Sequence, residues 1–268
     1  MVKESVSPNI LVIGIGSFAA AAIKCLADSG ATVYGYLDRD YGHYGPSTFG
    51  KTFLAKEHPN LNELLKKLSI DLVIPMSINW LLADWAEEFL RSGTPIFCPK
   101  REAILLERNR NYARLLCERF GIGVAPAYVA QNQQEAYDYV KKQNKPFVIK
   151  NPLCRPGSPV HTIVCETVID TLSWLENVDY SEGVYLQEYM GRREVGHIAL
   201  VSHGEIIPMV TNQEYKRAFN GNMGPVAGAP LGGLIEADPD DKYGLVRDLI
   251  EPLFPWFKET GFNGPVQA

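Results

Sequence analysis

Residues 10–36 read ILVIGIGSFAAAAIKCLADSGATVYGY, and this stretch decides the fold of the first part of the chain. The apolar run over residues 10–14 predicts a buried strand. Residues 17–29 predict a helix, which Gly30 ends, and residues 31–36 predict a second strand. A strand, a helix and a strand in this order indicate a unit of a parallel sheet.

The same alternation continues to residue 98. Helices are predicted over residues 61–68 and 78–92, and strands over 71–75 and 94–98. Strands that alternate with helices in this way favour a doubly wound sheet with helices on both faces. We therefore predict an α/β domain over residues 1–100.

The pattern changes beyond residue 100. A long helix is predicted first, and short strands follow that are joined by turns such as His203-Gly204, which favours an antiparallel α+β region. The stretch 217–233 is rich in Gly, Asn, Ala and Pro and is predicted to be a long loop. The predicted helices are 102–120, 133–143, 167–176 and 238–260, and the predicted strands are 146–150, 162–165, 183–187, 197–201 and 206–211, with a further strand starting near 264.

Composition narrows the function classes. The chain has 268 residues, a formal net charge of −5 and no clustered basic stretch, so no nucleic-acid partner is expected. The five cysteines form no CxxC pair, which favours reduced thiols over a disulfide framework or a metal site. No apolar run approaches the length of a membrane span and the N-terminus lacks a secretion signal, so we expect no membrane association and a cytoplasmic location.

Two glycines and an acidic residue leave one alternative open in the first domain. Gly14-Ile-Gly16 follows the first strand and Asp38 follows the second, as in dinucleotide-binding folds. Position 19 is alanine, so the third glycine of that fingerprint is missing. A nicotinamide-dependent oxidoreductase is therefore one hypothesis, and tight packing of the helix on the strand is the other.

Charged residues at predicted strand ends indicate either a phosphate site in the second half or ordinary solvent-exposed charges, and the residues alone leave both explanations open. Lys150 ends a strand just before a loop rich in Pro, where its ammonium can face a phosphate chain. Glu188 and Glu194 follow another strand and can accept hydrogen bonds from ribose hydroxyls. Residues 213–217 (QEYKR) and the glycine loop 221–225 (GNMGP) suit an anionic substrate or a transferring phosphoryl group.

These segments, in this order, resemble the phosphoribosylamine–glycine ligases (glycinamide ribonucleotide synthetases), purine-biosynthesis enzymes of the ATP-grasp superfamily. The resemblance is strongest over residues 208–225, where the family reads PM-T-QD-KR and then GD-GP. The segments that carry it are 97–99 (FCP), 107–110 (ERNR), 146–150 (PFVIK), 187–190 (QEYM) with Glu194, 207–217 (IPMVTNQEYKR), 221–225 and 261–264.

The resemblance implies a role for each matching residue. Lys216, Arg217 and Asn222 would be catalytic, close to the transferring phosphate. The substrate-binding residues implied are Gly14, Gly16, Gln213, Gly224 and Pro225. The ATP-binding residues implied are Arg110, Lys150, Gly157, Glu188, Tyr189, Met190 and Glu194, with 188–190 meeting the adenine through the backbone and Glu194 taking the ribose hydroxyls.

The chain also departs from the family pattern. The family reads GGREH after the first strand, where this chain has GSFAA over residues 16–20. The family segment PEAP becomes SINW over residues 77–80. The phosphate loop GLAAGKG becomes LCRPGSP over residues 153–159, which keeps Gly157, and GPNTGGMG becomes GPVAGAPL over residues 224–231.

The resemblance implies an α/β pre-ATP-grasp domain with a parallel sheet over residues 1–100 and an α+β ATP-grasp domain, truncated, after it. A connecting helix is expected over 101–125, the small ATP-grasp subdomain over 126–192 and the incomplete large subdomain over 193–268. The implied cofactors are ATP and Mg²⁺. The family's magnesium ligands are expected beyond Ala268, so no residue of this chain is assigned to metal.

The activity implied is an ATP-dependent ligase that joins a carboxylate to an amine through an acyl phosphate. The partners would be small-molecule substrates, phosphoribosylamine and glycine in the family. The alternative is a degenerate or fragmentary nucleotide-binding protein without turnover, and on the expected position of the metal ligands this chain alone would not complete the reaction.

Overall fold

The computed structural model describes residues 7–14, 16–40, 42, 45–154, 158, 162–226 and 232–268. The chain divides into two compact units, Met1–Pro99 and Lys100–Ala268, and each is described by itself. None of the described helices is long and apolar enough to cross a lipid bilayer.

The first unit is a parallel sheet with helices, as the sequence predicts. Its four strands lie in the order β3-β2-β1-β4, and every pair is parallel. The central strand β1 has Leu11 and Val12 fully buried, and Ile23 of the first helix is also fully buried. The elements are β1 (Asn9–Gly14), α1 (Gly16–Asp28), β2 (Thr32–Leu37), β3 (Lys51–Leu54), α2 (Leu61–Lys67), β4 (Leu72–Pro75) and α3 (Ala86–Ser92).

Three details of the first unit differ from the prediction. Strand β3 was not predicted, because its four residues are too short to show a period. The helix predicted over 78–92 is a 3-10 turn, Ile78–Leu82, followed by α3, because Ala83 takes an extended conformation. The strand predicted over 94–98 makes only one bridge, between Ile96 and Val73.

The second unit begins with helices and an antiparallel sheet. The sheet has the order β5-β8-β6-β7. Helices α6 and α7 accompany its buried face, where Ile149, Leu175 and Leu186 are fully buried in one apolar cluster. The elements are α4 (Leu105–Arg108), α5 (Arg110–Arg119), β5 (Ala127–Ala130), α6 (Gln133–Gln143), β6 (Phe147–Lys150), β7 (Thr162–Val164), α7 (Val168–Leu175) and β8 (Val184–Glu188).

The long helix predicted over 102–120 is wrong, because Asn109 breaks it. Asn109 is extended, with φ −134° and ψ 103°, and its Oδ1 accepts a hydrogen bond from the backbone N–H of Tyr112 at 3.0 Å. This side chain caps α5, satisfying an N–H group that the first turn leaves free. Arg110 is therefore the first residue of α5, preceded by the short α4 and a 3-10 turn at Arg101–Ile104.

A second antiparallel sheet and a two-stranded ribbon complete the unit. The sheet has the order β13-β10-β9-β14, and the hairpin between β9 and β10 turns at His203 and Gly204, as predicted, both with positive φ. The ribbon pairs β11 with β12. The elements are β9 (Glu194–Ser202), β10 (Glu205–Tyr215), β11 (Arg217–Phe219), β12 (Met223–Val226), β13 (Gly232–Ala237), α8 (Phe254–Thr260) and β14 (Gly264–Gln267).

Two further predictions are corrected here. The segment 217–233 is not a loop throughout, since it contains β11, β12 and the start of β13. The helix predicted over 238–260 begins only at 246, with a π-helical turn Val246–Ile250, a 3-10 turn Glu251–Leu253 and α8. The carboxylate of Asp241 accepts hydrogen bonds from the backbone N–H groups of Val246 and Arg247, both at 2.9 Å, so the residues before 246 serve as the start signal of this helical stretch.

We predict that Leu186→Ala lowers the free energy of unfolding by about 2–5 kcal/mol, because it leaves a cavity in the core beneath β8. Ile169→Ala is the matched control, since Ile169 on α7 is 76% exposed. Urea denaturation followed by circular dichroism measures both changes. An equal, small effect of the two substitutions would contradict the assignment of Leu186 to the core.

Candidate functional site

A cavity of about 450 Å³ lies on the face of the first antiparallel sheet of the second unit opposite to its core. Val148 and Lys150 of β6 lie on this face, because alternate residues of a strand point to opposite sides. The cavity is lined by Arg110, Val148, Lys150, Thr162, Val164, Gln187, Glu188, Tyr189, Met190, Gly191, Arg192, Arg193, Glu194, Lys216, Arg217, Asn222 and Val226.

Positive charge dominates this lining. Six of these side chains are cationic, and two, Glu188 and Glu194, are acidic. Glu188 Oε1 accepts a hydrogen bond from Lys145 Nζ at 2.7 Å, so part of its charge is already compensated. An excess of cations in a concave site raises the local concentration of anions. The cavity is therefore suited to a ligand with several negative charges.

Among the lysines that line the cavity, Lys150 has a lowered pKa. Its Nζ donates a hydrogen bond to the neutral amide oxygen Oε1 of Gln187 at 2.7 Å. Burial, reinforced by the neighbouring Arg110, lowers the pKa of Lys150 from 10.5 to about 8. A buried ammonium that meets an amide instead of a carboxylate is poorly compensated, so a bound anion would stabilise it.

Arg110 is held beside Lys150 by backbone contacts. Its backbone N–H donates to the carbonyl oxygen of Pro152 at 3.1 Å, and its Nε donates to that of Asn151 at 3.0 Å. The segment that follows β6 is thus tied to the first turn of α5. This places a second cation at the end of the strand where Lys150 lies.

Lys216, which also lines the cavity, pairs with two carboxylates. Its Nζ lies 2.5 Å from Glu194 Oε2 and 2.9 Å from Glu214 Oε2. Burial alone would lower the pKa of Lys216, but the two carboxylates outweigh it and the pKa is raised. Glu194, to which the resemblance gives a ribose-binding role, therefore forms an ion pair in this structure.

Arg217 and Asn222 belong to the ribbon of β11 and β12. Arg217 Nη1 donates to the carbonyl oxygen of Gly224 at 2.7 Å, which places Gly224 behind this arginine. Asn222 Nδ2 donates to the carbonyl oxygen of Arg192 at 3.0 Å. The Oδ1 of Asn222 is buried and has no hydrogen-bond partner among the described residues.

The segment 188–190, which includes the last residue of β8, lines the cavity. Its N–H groups at Glu188 and Tyr189 donate to the carbonyl oxygens of Pro126 and Pro146, at 2.8 and 3.0 Å. These bonds tie the segment to the two neighbouring strands. Met190 follows and is 73% exposed, so its apolar side chain can cover a ligand.

The cavity brings together nine of the residues singled out from the sequence. Gln213 lies on β10 and Pro225 on β12, and neither lines the cavity. Gly157 lies outside the described residues. Gly14 and Gly16 belong to the first unit, where a Cβ at Gly14 would lie 3.0 Å from Met76 Cβ and 3.1 Å from Ala19 Cβ, which agrees with the packing explanation of this glycine.

Sequence reasoning missed several cavity residues. Arg192 and Arg193 follow residues 188–190 after one glycine, and two consecutive arginines next to Glu194 were a readable signal. Gln187 was quoted only as part of a strand end. Thr162, Val148, Val164 and Val226 gave no signal, because only the pairing of the strands brings them to this face.

Another cluster of polar residues has the composition of a metal site but is a closed hydrogen-bond network. His197, Asp238 and Asp241 lie close together on and beside the second sheet. His197 Nε2 accepts from the backbone N–H of Met209 at 3.1 Å, and its Nδ1 lies 3.0 Å from Thr211 Oγ1, which donates to Asp238. Both ring nitrogens are therefore used within the protein, and the cluster stabilises the sheet.

Part of this chain matches a known protein family, and curated relatives match most of it. Residues 108–237 match the family model described as phosphoribosylglycinamide synthetase, ATP-grasp (A) domain. A phosphoribosylamine–glycine ligase of Halalkalibacterium halodurans is 30% identical over 228 residues, which are 82% of this chain and 53% of that protein. One of Listeria innocua is 27% identical over 91% of this chain and 59% of that protein. The chain thus spans about half the length of the curated relatives it matches.

Solved structures show the same fold. The phosphoribosylamine–glycine ligase of Thermotoga maritima matches with a TM-score of 0.68 at 20% identity, over 97% of this chain and 64% of that one. The N5-carboxyaminoimidazole synthetase of Staphylococcus aureus, complexed with ADP, matches with a TM-score of 0.63 at 13% identity, over 98% of this chain and 66% of that one.

The fold is therefore that of the ATP-grasp enzymes. More narrowly, residues 108–237 match the phosphoribosylglycinamide synthetase family of ATP-grasp domains, and the predicted resemblance to phosphoribosylamine–glycine ligases is confirmed.

We predict that Lys150→Met raises the free energy of unfolding near neutral pH by about 2 kcal/mol, because it removes a buried charge. Below pH 8 the ammonium is charged in both the folded and the unfolded chain, so its burial cost is fully present. Between pH 8 and 10.5 the folded chain releases the proton that the unfolded chain keeps, so the cost falls and the difference between variant and parent shrinks. Urea denaturation across this range measures the difference.

The control for this prediction is Lys142→Met, at an exposed lysine of α6. It removes the same charge without relieving any burial. A gain in stability that is equal in the two variants, or independent of pH, would contradict the buried position of the Lys150 charge.

Proposed function

We propose that this chain binds ATP in the cation-lined cavity and is part of an ATP-dependent ligase that joins a carboxylate to an amine. The observation that carries the proposal is the position of Lys150 at the end of β6, beside Arg110 and in the same cavity lining as Lys216 and Arg217. Four cations around one concave site can accept a triphosphate, and the ADP complex of the related S. aureus enzyme supports this ligand.

The side chains that we propose to act neutralise the charge of the phosphates and hold the substrates in position. A carboxylate becomes reactive toward an amine when its oxygen takes up the terminal phosphoryl group of ATP, which gives an acyl phosphate and ADP. The amine then displaces phosphate, so the new C–N bond replaces the C–O bond. Lys216, Arg217 and Asn222 would hold the transferring phosphate, since its charge must be neutralised by groups that are already in place.

A side chain that attacks the substrate is not needed for this chemistry. ATP transfers its phosphoryl group directly to the carboxylate, the amine attacks the acyl phosphate directly, and the protein orients these molecules. Arg110 and Lys150 would hold the remaining phosphates, and residues 188–190 would meet the adenine. Gln213, Gly224 and Pro225 would lie near the small substrates.

Mg²⁺ belongs to the proposal as the partner of ATP, since a related 2-oxoglutarate carboxylase domain was solved with MgADP. Metal ions in phosphoryl-transfer sites bridge the phosphates and neutralise their charge. The described part of this cavity does not fit a divalent ion as it stands, because Glu188 and Glu194 both pair with lysines. We therefore assign no metal ligand here and route no step through the ion.

The substrates proposed are small molecules, an amine and a carboxylic acid. The relatives named above point to phosphoribosylamine and glycine. The segments at 16–20 and 77–80, which differ from the family pattern, make the amine the substrate to test first. Neither nucleic acid nor a membrane enters the proposal, and the proposed location is the cytoplasm.

We predict that Lys150→Met weakens ATP binding by about tenfold to a hundredfold, the equivalent of one charge-assisted hydrogen bond of about 1.5–3 kcal/mol. Lys150→Met should thus gain stability and lose ATP affinity, whereas Lys142→Met should change neither the stability nor the ATP affinity much. Affinity of the parent should fall as the pH rises above 8, because Lys150 loses its charge there. Isothermal titration calorimetry with ATP measures all three.

Equal affinity of the parent and Lys150→Met for ATP would refute the placement of the phosphates. ADP release in the presence of glycine and phosphoribosylamine then tests turnover. ATP binding without ADP release, both by this chain and by a version extended through any downstream reading frame, would favour the alternative function, a nucleotide-binding protein without turnover.

A further inference from the structure

Glu166 lies outside the cavity lining but contacts three residues that form it. It follows β7 and precedes Thr167, the residue that caps α7. Its Oε1 accepts hydrogen bonds from Arg192 Nε at 2.8 Å, from Arg217 Nη2 at 2.6 Å and from the hydroxyl of Tyr189 at 3.2 Å. Its Oε2 accepts from Arg192 Nη2 at 2.5 Å.

These contacts join three separate parts of the second unit. Glu166 lies between β7 and α7, Arg192 lies between β8 and β9, and Arg217 begins the ribbon. Two of the contacts form a bidentate pair with Arg192, the geometry that fixes a guanidinium most firmly. Glu166 is 31% exposed and Arg217 only 13%, so the pair is partly shielded from solvent.

The carboxylate is charged under ordinary conditions. Its hydrogen bonds from Arg192, and with them those from Tyr189 and the charge of Arg217, hold the pKa of Glu166 below its usual value against the opposing effect of burial. The contact is thus an ion cluster of two positive charges and one negative charge. One unit of positive charge remains for a ligand.

The geometry also fixes where the free N–H groups of Arg217 point. Nη2 donates to Glu166 and Nη1 donates to the carbonyl oxygen of Gly224, so one N–H on each of these nitrogens is engaged on the protein side. Arg217 nevertheless lines the cavity. Its remaining donors are therefore those available to an anion in the cavity, in an orientation that Glu166 determines.

We propose that Glu166 is a positioning residue that holds Arg192 and Arg217 in the orientation that receives the phosphate oxygens of a nucleotide. This inference rests on the proposed function, because it assigns the ligand of that same cavity. Glu166 itself does not touch the ligand. It lowers the conformational freedom of two long side chains before binding, so that less is lost when the phosphates arrive.

The sign of the effect separates this role from simple electrostatics. Glu166→Gln removes one negative charge beside the cavity, and general attraction alone would then make polyphosphate binding tighter. If Glu166 positions the arginines, the same substitution makes binding weaker, because the guanidiniums lose their fixed orientation. We expect ATP affinity to fall about tenfold.

The experiment compares ATP with adenosine in the full chain, by calorimetry. Adenosine carries no phosphate, so Glu166→Gln should leave its affinity unchanged, whereas a merely structural role would alter both ligands. Glu166→Asp keeps the charge on a shorter side chain and should restore part of the ATP affinity. Asp170→Asn is the charge-matched control. Asp170 lies exposed on the first turn of α7, whereas Arg192 and Arg217 form their ion pairs with Glu166.

A second measurement needs no ligand. Amide hydrogen exchange over residues 217–226 should be faster in Glu166→Gln than in Asp170→Asn, because the ribbon loses its ion pair to the first sheet. Unchanged or tighter ATP binding by Glu166→Gln, with normal binding by the parent, would overturn this inference alone. Failure of the parent to bind ATP would overturn the proposed function and this inference together.

Discussion

The confinement of several cations in one cavity is the constraint on which the second unit depends. Like charges repel, and each buried ammonium or guanidinium loses hydration, so such a site is stable only if other parts of the fold hold it. Lys150 is the extreme case, since its Nζ meets a neutral amide and its pKa falls to about 8. The stability that this costs comes from apolar packing beneath the same sheet, where Ile149 and Leu186 are fully buried.

The antiparallel sheet makes this arrangement possible by separating its two faces. Along β6 the side chains alternate, so Phe147 and Ile149 enter the core while Val148 and Lys150 face the cavity. The cross-strand partner of Val148 is Gln187, which supplies the acceptor for Lys150. A shift of one residue in this register would bury Lys150 in the apolar core, which makes the register strongly specified.

The sequence predicted the order of helices and strands better than the positions where a helix breaks or a short strand pairs. The alternation of strands and helices in the first unit depends on apolar periodicity, which a local stretch such as residues 10–36 contains in full. The break at Asn109 depends on one side chain that caps a helix, and the ribbon of β11 and β12 depends on pairing between short segments of low apolar content. Neither leaves a periodic signal in the sequence.

For the site, the sequence indicated residues at strand ends, because charge at such positions has few structural uses. It could not indicate Glu166, whose importance comes from two arginines 26 and 51 positions away in the chain. It also could not show that Glu194 pairs with Lys216, since this contact joins the start of β9 to the residue between β10 and β11. What local patterns predict is the kind of group present, whereas the partner of each group is decided by tertiary structure.

The break at Asn109 has a consequence for exchanging parts between related proteins. Residues 108–110 and 151–154 are joined by three hydrogen bonds, from Arg110 N to Pro152 O, from Cys154 N to Arg108 O and from Arg110 Nε to Asn151 O. Two segments more than forty positions apart therefore form one structural module. A chimaera that transplants the loop after β6 without residues 108–110 would separate the halves of this module, so substitutions in the two segments should be inherited together.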